Sequence, residues 1–361
     1  MTYITLTFPF NVRCNVAKRF LSTVWLFKIA THNLLSIAKQ SPVLPGTDIG
    51  WKSTFREIAY EIIPNRRYAD GVVALVRSIY ESCRQLKVDF KSVELSDWLM
   101  FQQSELEYPA RNITLKPGYE FHITTVDYSK ISYRDMIKPT IPKSYRLLLD
   151  KILEGRQRYT GRVVVKSYGT EEDNLWVQGE IHVTIPIDFY YKHTARVNKG
   201  RLYGGIDVNV DRINLAIVDE KGELRDTRTF WFEEASRRGY NRHRARSIIG
   251  MRVHEMLEYA YHHGVETLFL ENPEVLGKLK LLWVRSSDRG HENYNYKISV
   301  FRSSVIEMIA LKTPLYSIEV KYIDPKGTTS SEEHGEIMKR YGLDRHTASA
   351  YLIALRGLRN Q

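Results

Sequence analysis

Acidic and histidine residues in three separate segments are of the types that hold divalent metal ions. Asp207 lies in "GGIDVN", Glu271 in "LFLENPE", and Asp344 and His346 in "LDRHTASAYLIALRG". Carboxylates brought close together repel one another unless a cation lies between them. Two metal ions held in this way can hydrolyse a phosphodiester, because one activates water and the other stabilises the leaving oxygen. The three segments therefore predict a metal site if the fold brings them together.

Each of these residues also has a plainer interpretation. A single Asp or Glu at the end of a strand is commonly a turn or capping residue. Asp344 directly precedes an apolar helix and suits its N-cap, in which case His346 merely packs against the helix start. The occurrence of all three segments in one chain is what favours the metal site.

The elements from residue 202 onward predict how the segments meet. Three strands are expected at "LYGGID", "INLAIVD" and "LRDTRTFWF", the last two joined by a hairpin. A helix, the strand "VETLFLE", a second helix, the strand "SIEVKYIDP" and a final helix follow. This order is that of the α/β RNase H-like fold, in which the first and fourth strands are neighbours. Asp207 and Glu271 would then emerge at one edge of the sheet, and Gly204 and Gly205 would let another backbone approach closely.

The residues before this part predict an N-terminal α+β region. The alternation in "YITLTF" predicts a strand, and helices are expected at about 16–40 and 69–87. "SPVLPGTDIG" is expected to be a loop, and strands are expected between residues 119 and 191. The basic, polar stretch "KHTARVNKGR" marks the boundary with the second region.

The composition narrows the class of partner. The chain has 361 residues, and 53 Lys and Arg against 42 Asp and Glu give a net charge of +11, which favours a polyanionic partner. Two cysteines, Cys14 and Cys83, suit a reducing compartment and are too few for a four-cysteine zinc site, so we expect no zinc. The most apolar helical stretch, "FLSTVWLFKIA", is too short to span a membrane, so we expect no membrane association.

A run of arginines follows the third predicted strand. Residues 237–252 contain six arginines and His243 but no acid. Such a run is commonly a solvated helix face, yet a solvated face normally mixes both signs of charge. We therefore expect contacts to nucleic-acid phosphates. The arginines expected to make them are Arg237, Arg238, Arg242, Arg244 and Arg246.

With these segments in order, residues 202–357 resemble a known family. The stretches "GGIDVNVDRINLAIVD", "LFLEN", "YIDPKGTTS" and "HTASAYLIALRG" are similar, in sequence order, to the split RuvC-type nuclease domain of TnpB proteins. TnpB proteins are RNA-guided endonucleases encoded by insertion sequences, and type V CRISPR effectors are their relatives. In the resemblance Asp207 and Glu271 match catalytic carboxylates. His346 matches the third acid, and Asp344 matches an acidic position two residues upstream that is usually not catalytic.

The resemblance implies an activity and its partners. It implies Mg²⁺-dependent cleavage of double-stranded target DNA directed by a guide RNA, in the prokaryotic cytoplasm and near the nucleoid. The imidazole of His346 at the third position would favour Mn²⁺ over Mg²⁺, because Mn²⁺ accepts nitrogen ligands more readily. The family's zinc ribbon is missing, since "KGTTSSEEHGEIMKRYG" has no cysteine, and His334 within it is expected to be a solvated surface residue.

The resemblance also implies a domain organisation. Residues 1–15 and 110–198 would form a β-barrel-like wedge, and residues 16–109 an inserted helical recognition part. Residues 199–361 would form the RuvC-like nuclease domain, with its basic helix at 237–262.

Three other functions remain open. The chain could bind RNA and DNA without cutting, as a repressor or a transposon relic. It could be an unguided, resolvase-like nuclease, although the long strand-rich N-terminal half argues against this. Sugar-kinase and actin-like ATPases also begin with an Asp before a β-hairpin, but they need further Gly-rich phosphate-binding turns that we do not find after residue 222.

Overall fold

A computed structural model describes residues 3–95, 97–236, 241–272, 304–324 and 331–360. The chain divides into two compact units, Met1–His193 and Thr194–Gln361. The division falls in the basic stretch that was predicted to be the boundary. Among the described residues, no helix combines the length and the apolar composition that crossing a membrane requires.

The first unit is an α+β fold with two antiparallel sheets. Its helices are α1 (Cys14–Gln40), α2 (Asp48–Ile62), α3 (Arg66–Leu86), α4 (Lys143–Glu154) and α5 (Ile187–Thr194), which ends at the division. Its strands are β1 (Tyr3–Arg13), β2 (Met100–Gln102), β3 (Ile113–Lys116), β4 (Glu120–Val126), β5 (Ser132–Ile137), β6 (Thr160–Glu171) and β7 (Asn174–Pro186). One sheet has the order β1-β7-β6-β2 and the other β3-β4-β5. Apolar side chains of α1 pack into a core shared with both sheets.

Two stretches of the first unit differ from the prediction. The expected loop "SPVLPGTDIG" contains the start of α2, where the Thr47 side chain caps the helix by accepting a hydrogen bond from the Gly50 N–H at 3.1 Å. β2 lies inside the stretch 16–109 that was expected to be helical, and it pairs with β6 at the edge of the four-stranded sheet. Periodicity misses both elements. α2 begins within a stretch that contains Pro and Gly, and β2 has only three residues.

The second unit contains a five-stranded sheet and helices on both faces. Its strands are β8 (Leu202–Val208), β9 (Arg212–Val218), β10 (Leu224–Trp231), β11 (Val265–Glu271) and β12 (Glu319–Ile323). Its helices include α6 (Glu233–Ser236), α7 (Arg242–His262), α8 (Glu332–Tyr341) and α9 (Arg345–Arg359), and residues 304–312 are also helical. The strand order is β10-β9-β8-β11-β12. β9 is antiparallel to its neighbours, whereas β8, β11 and β12 are parallel. This order and these directions confirm the α/β RNase H-like fold.

The two faces of this sheet have different cores. Ile206 and Leu268 lie on the face that packs against Met256 and Leu257 of α7. The opposite face packs against α9, and Gly205 makes the close approach possible: a Cβ at Gly205 would lie only 2.1 Å from the Ala350 carbonyl oxygen. Since side chains alternate between faces along a strand, Asp207 lies on the α9 face.

Candidate metal centre

Asp207 lies near the end of the central strand β8 and is almost fully buried, with 2% of its surface exposed. Its Oδ2 atom accepts a hydrogen bond from the Asn209 side-chain amide at 2.7 Å. The same oxygen lies 3.2 Å from Nδ1 of His346, on the first turn of α9. The structure thus brings the first and third predicted segments into direct contact.

Glu271 is the last residue of β11 and is also buried, with 5% exposed. The preceding residue, Leu270, pairs with Ile206 in β8, so Glu271 occupies the position beside Asp207. Neighbouring strands lie about 4.8 Å apart, and residues at matching positions point to the same face. The prediction that the first and fourth strands of the second unit, β8 and β11, are neighbours is confirmed. Both carboxylates lie on the face of the sheet that packs against α9.

Asp344 makes the contacts of a helix N-cap. Its Oδ1 accepts hydrogen bonds from the backbone N–H groups of His346 at 2.9 Å and Thr347 at 3.3 Å, and its Oδ2 accepts one from the Thr347 hydroxyl. Burial by itself would raise the pKa of the Asp344 carboxyl. These hydrogen bonds outweigh the burial, so the pKa lies below its usual value. Both oxygens are therefore occupied at the start of α9, and it is His346 that contacts Asp207.

Asn214 is a further polar group at this place that the sequence reasoning missed. It pairs with Asp207 across β8 and β9 and is 1% exposed. Its amide nitrogen donates to the Thr229 hydroxyl at 2.8 Å and the Thr347 hydroxyl at 3.3 Å. Its Oδ1 is buried and accepts no hydrogen bond from the described residues. The signal in the sequence was a single amide inside the otherwise apolar strand "INLAIV".

The donor atoms at this place fit a hard divalent cation. Mg²⁺ and Mn²⁺ prefer oxygen ligands, and Asp207, Glu271 and the Asn214 amide supply oxygens in a buried setting. Within the described ranges, however, no three His, Cys, Asp or Glu side chains are grouped closely enough to enclose a metal ion. A complete coordination shell would therefore include water or require side chains to rotate.

The exposed Trp231 lies on the α9 face of the sheet, at the end of β10 and opposite the start of β9. Arg212 and Trp231 are paired across β9 and β10, and the guanidinium lies 3.9 Å from the centre of the indole ring. Arg212 also forms an ion pair with Asp211 at 2.8 Å. From the spacing and rise of strands, the Cα atom of Arg212 lies roughly 8 Å, and that of Trp231 roughly 12 Å, from the Cα atom of Asp207. The pair therefore borders the candidate centre, and sequence reasoning did not single it out.

The predicted arginine run is described in part. Arg237 and Arg238 lie outside the described residues. Arg242 is the first residue of α7, and the Asn241 side chain caps this helix by accepting hydrogen bonds from the next two N–H groups, the nearer at 2.9 Å. Arg244 and Arg246 are exposed. Exposure suits a solvated face and a phosphate-binding face equally, so the phosphate contacts stay a prediction.

His334 is not the solvated surface residue that was expected. It is 4% exposed, and its Nε2 lies 2.9 Å from the Arg345 carbonyl oxygen and 3.2 Å from the Ser349 hydroxyl. The expectation was wrong because a lone histidine in a polar stretch gives no indication that its ring turns inward. His334 instead joins α8 to the first turns of α9.

Comparison with known proteins places the chain among relatives. A family model described as the SSO2105 N-terminal domain matches residues 41–195. An uncharacterised protein of Aeropyrum pernix is 68% identical over 360 residues, covering 99% of this chain and 97% of that protein. The uncharacterised protein SSO2105 of Saccharolobus solfataricus is 35% identical over 182 residues, covering 49% of this chain and 47% of that protein. The cryo-EM structure of the Cas12f1–sgRNA–target DNA complex aligns with a TM-score of 0.48 and 12% identity, over 93% of this chain and 81% of that chain.

Proposed function

The chain belongs to the same family as the uncharacterised Aeropyrum pernix protein, and we propose that it is a divalent-metal-dependent nuclease that RNA guides to double-stranded DNA. The observation that supports cleavage most strongly is the pair of buried carboxylates, Asp207 and Glu271, at matching positions of β8 and β11. Two buried anions at adjacent positions repel each other and lose hydration, and a bound cation relieves both penalties.

In the proposed site Asp207 and Glu271 would hold Mg²⁺ or Mn²⁺, with the buried Asn214 Oδ1 as a further oxygen donor. Divalent metal bound there would supply activation of water and stabilisation of the leaving oxygen. The hydrogen bond from Asn209 fixes the orientation of the Asp207 carboxylate. His346 stands where the TnpB family has a third carboxylate, so a neutral imidazole takes the place of a negative ligand. The site therefore attracts Mg²⁺ less than three carboxylates would, and it prefers Mn²⁺.

Guidance by RNA is the finer part of the proposal. It is supported by the resemblance of four ordered segments to the TnpB nuclease domain and by the net charge of +11. In this proposal residues 1–15 and 110–198 act as a wedge, residues 16–109 as the recognition part and residues 199–361 as the nuclease. Arg237, Arg238, Arg242, Arg244 and Arg246 contact phosphates, and zinc has no part.

A second candidate function is guided binding without cleavage. The observations that favour it are the direct contact between His346 and Asp207, and the engagement of Asp344 in its own helix. Both leave fewer groups for a metal ion than a site with three carboxylates would have. In this alternative the chain is a repressor that has lost its nuclease.

Two measurements separate these functions. Sequencing the RNA that co-purifies with the protein should give one discrete species that maps beside the gene, whereas random fragments would contradict guidance. With that RNA, a plasmid carrying the matched target should be cut in Mn²⁺ by the parent protein but not by Asp207→Ala. Glu223→Ala, which removes an exposed carboxylate from the β9–β10 hairpin, is the matched control and should cut normally. If the parent binds the target tightly and never cuts, the second candidate is correct.

A further inference from the structure

A cavity of about 530 Å³ opens on the first unit between α1 and the turn that joins β4 to β5. Three aromatic side chains line it: Trp25 from α1, and Tyr128 and Tyr133 from the turn and from β5. Leu175 contributes an apolar surface. Tyr128 is 64% exposed and Tyr133 37% exposed, so two of these rings are open to solvent. Ligand cavities of this size, with aromatic walls and a few polar groups, suit a small planar ring.

Two of the three rings are held in place by neighbouring cations. The Arg19 guanidinium lies 4.8 Å from the centre of the Tyr133 ring and is itself bonded to Asp135. The Lys28 ammonium lies 4.9 Å from the centre of the Trp25 ring. Rings that are fixed in this way lose little conformational entropy when a ligand stacks on them. Tyr128 is the ring with the most free surface, and its hydroxyl makes no hydrogen bond to a described residue.

Among the described residues that line the cavity, Lys18 is a cation and Asp127 an anion, and neither forms an ion pair. Asp135 neutralises Arg19, and the Asp127 carboxylate accepts hydrogen bonds from the Tyr133 hydroxyl and the Ile131 N–H, both at 2.9 Å. Lys18 is exposed and forms no ion pair with a described residue. The Asn15 side chain and the Trp25 indole N–H also line the cavity region and bond to no described residue. Within the described part of the chain, the cavity thus offers stacking surfaces and the Lys18 ammonium, with the hydrogen-bonded Asp127 carboxylate beside them.

We propose that this cavity binds a nucleobase of a single-stranded nucleic acid, with the ring stacked on Tyr128 and Trp25 and the adjoining phosphate near Lys18. Aromatic side chains bind bases in this way because every base has a π-face. A free nucleotide shares this chemistry. A single strand is the better fit, because a nucleoside di- or triphosphate calls for several cations, and Lys18 is the one unpaired cation among the described residues of the lining. The proposal rests on the proposed function only for the class of partner, and it holds whether or not the chain cuts DNA.

The test is binding of a fluorescein-labelled oligouridylate to the full chain after removal of co-purifying nucleic acid, followed by fluorescence anisotropy. Tyr128→Ala should weaken the Kd roughly tenfold, because it removes one stacking surface. Tyr128→Phe keeps the ring and should stay within about twofold of the parent. Lys18→Ala should reduce the slope of log Kd against log salt by about 0.7, the value for one phosphate contact to a single strand. Tyr128 and Lys18 are exposed, so neither change disturbs the core.

The control is Tyr60→Ala, which removes another exposed tyrosine, 41% exposed against 64% for Tyr128, from α2 and outside the cavity. It should bind like the parent. If Tyr60→Ala weakens binding as much as Tyr128→Ala, or if Tyr128→Ala and Lys18→Ala both bind like the parent, the cavity takes no base. Uridine monophosphate and unlabelled oligouridylate are then compared as competitors. If the monophosphate displaces the labelled strand as effectively per nucleotide, the base site is supported and its ligand is a free nucleotide.

A second measurement locates the base directly. An oligonucleotide carrying 4-thiouridine, cross-linked by near-ultraviolet light, should attach within residues 15–25 or 127–133, and attachment confined to α7 would overturn the proposal. Asp207→Ala should leave both measurements unchanged while it removes cleavage. The base site and the nuclease can therefore fail independently.

Discussion

Nδ1 of His346 lies 3.2 Å from Oδ2 of Asp207, which joins the first turn of α9 to the central strand of the second unit. The contact is possible because Gly205, two residues before Asp207, lets the backbone of α9 lie directly on the sheet. His346 of α9 therefore joins Asp207 of β8 in the candidate metal centre. This arrangement defines the residues on which the predictions about cleavage depend.

Removal of divalent ions should lower the thermal stability of the second unit. An ion that binds only the folded state stabilises it by mass action, so the Tm should rise with Mn²⁺ concentration and return on adding a chelator. Glu271→Gln should remove most of this rise, because it takes one charge from the buried pair. Glu319→Gln, at the exposed start of β12 in the same sheet, is the control and should keep the rise. A Tm that does not respond to Mn²⁺ in the parent would count against the metal site.

Asp344 should prove to be a capping residue. Asp344→Ala should destabilise the protein by about 1 kcal/mol, because it leaves N–H groups at the start of α9 without an acceptor. Asp344→Asn should keep the stability, since Asn is an equally good N-cap, and it should keep cleavage as well. Thermal unfolding and plasmid cleavage of both variants provide the test. Loss of cleavage in Asp344→Asn at unchanged Tm would make Asp344 a metal ligand instead.

Short apolar runs with polar or Gly residues at their ends were enough to predict the strands of the second unit. These runs indicate where β8 and β11 end. The strand order of the RNase H-like fold, which comes from comparing the order of elements with a known fold, then puts Asp207 beside Glu271. The contact between His346 and Asp207 depends in addition on how α9 crosses the sheet. That crossing depends on Gly205, whose missing side chain predicts a close approach but does not identify which residue approaches.

Other features of the site lie beyond what periodicity can show. Asn214 has the position of an apolar strand residue, and only its buried, unsatisfied oxygen marks it as unusual. His334 is buried because its ring bonds to the Arg345 carbonyl of the neighbouring helix, a contact that local sequence does not encode. The roles of Arg244 and Arg246 stay open in the structure, since an exposed arginine has the same geometry in water and on a phosphate.

In the first unit, stability should depend on pH through Lys52, whose ammonium contacts Asp48 at 3.0 Å and also Glu105. The hydrogen bond from Lys52 lowers the pKa of Glu105, and the pKa of Asp48 is lowered although burial opposes this. Lowered carboxyl pKa values give stability that is present above the unfolded values, near 4, and lost as pH falls through the folded ones. Lys52→Met should therefore lower the Tm at pH 7, and the difference from the parent should shrink below about pH 4. A difference that is the same at both pH values would contradict this coupling.

The exposed arginines of α7 should contribute to binding through phosphate contacts. The double variant Arg244→Ala, Arg246→Ala should reduce the slope of log Kd against log salt for double-stranded DNA by about two units. It should weaken binding to all DNA sequences alike. Arg252→Ala is the matched control, because Arg252 is on the same helix and already forms an ion pair with Glu255 at 2.8 Å. Equal slopes for the double variant and the parent would return these arginines to a solvated face.

His346→Asp should convert the site toward Mg²⁺. The change puts a second carboxylate against Asp207, so without metal the two anions repel and the Tm should fall below that of the parent. Mg²⁺ prefers oxygen ligands and should restore the Tm, and cleavage in Mg²⁺ should rise above the parent's, which is expected to be stronger in Mn²⁺. His346→Asn removes the imidazole without adding charge, and it should lose the parent's Mn²⁺-dependent cleavage without gaining activity in Mg²⁺. If His346→Asn cuts like the parent in Mn²⁺, His346 only packs against Asp207 and takes no part in metal binding.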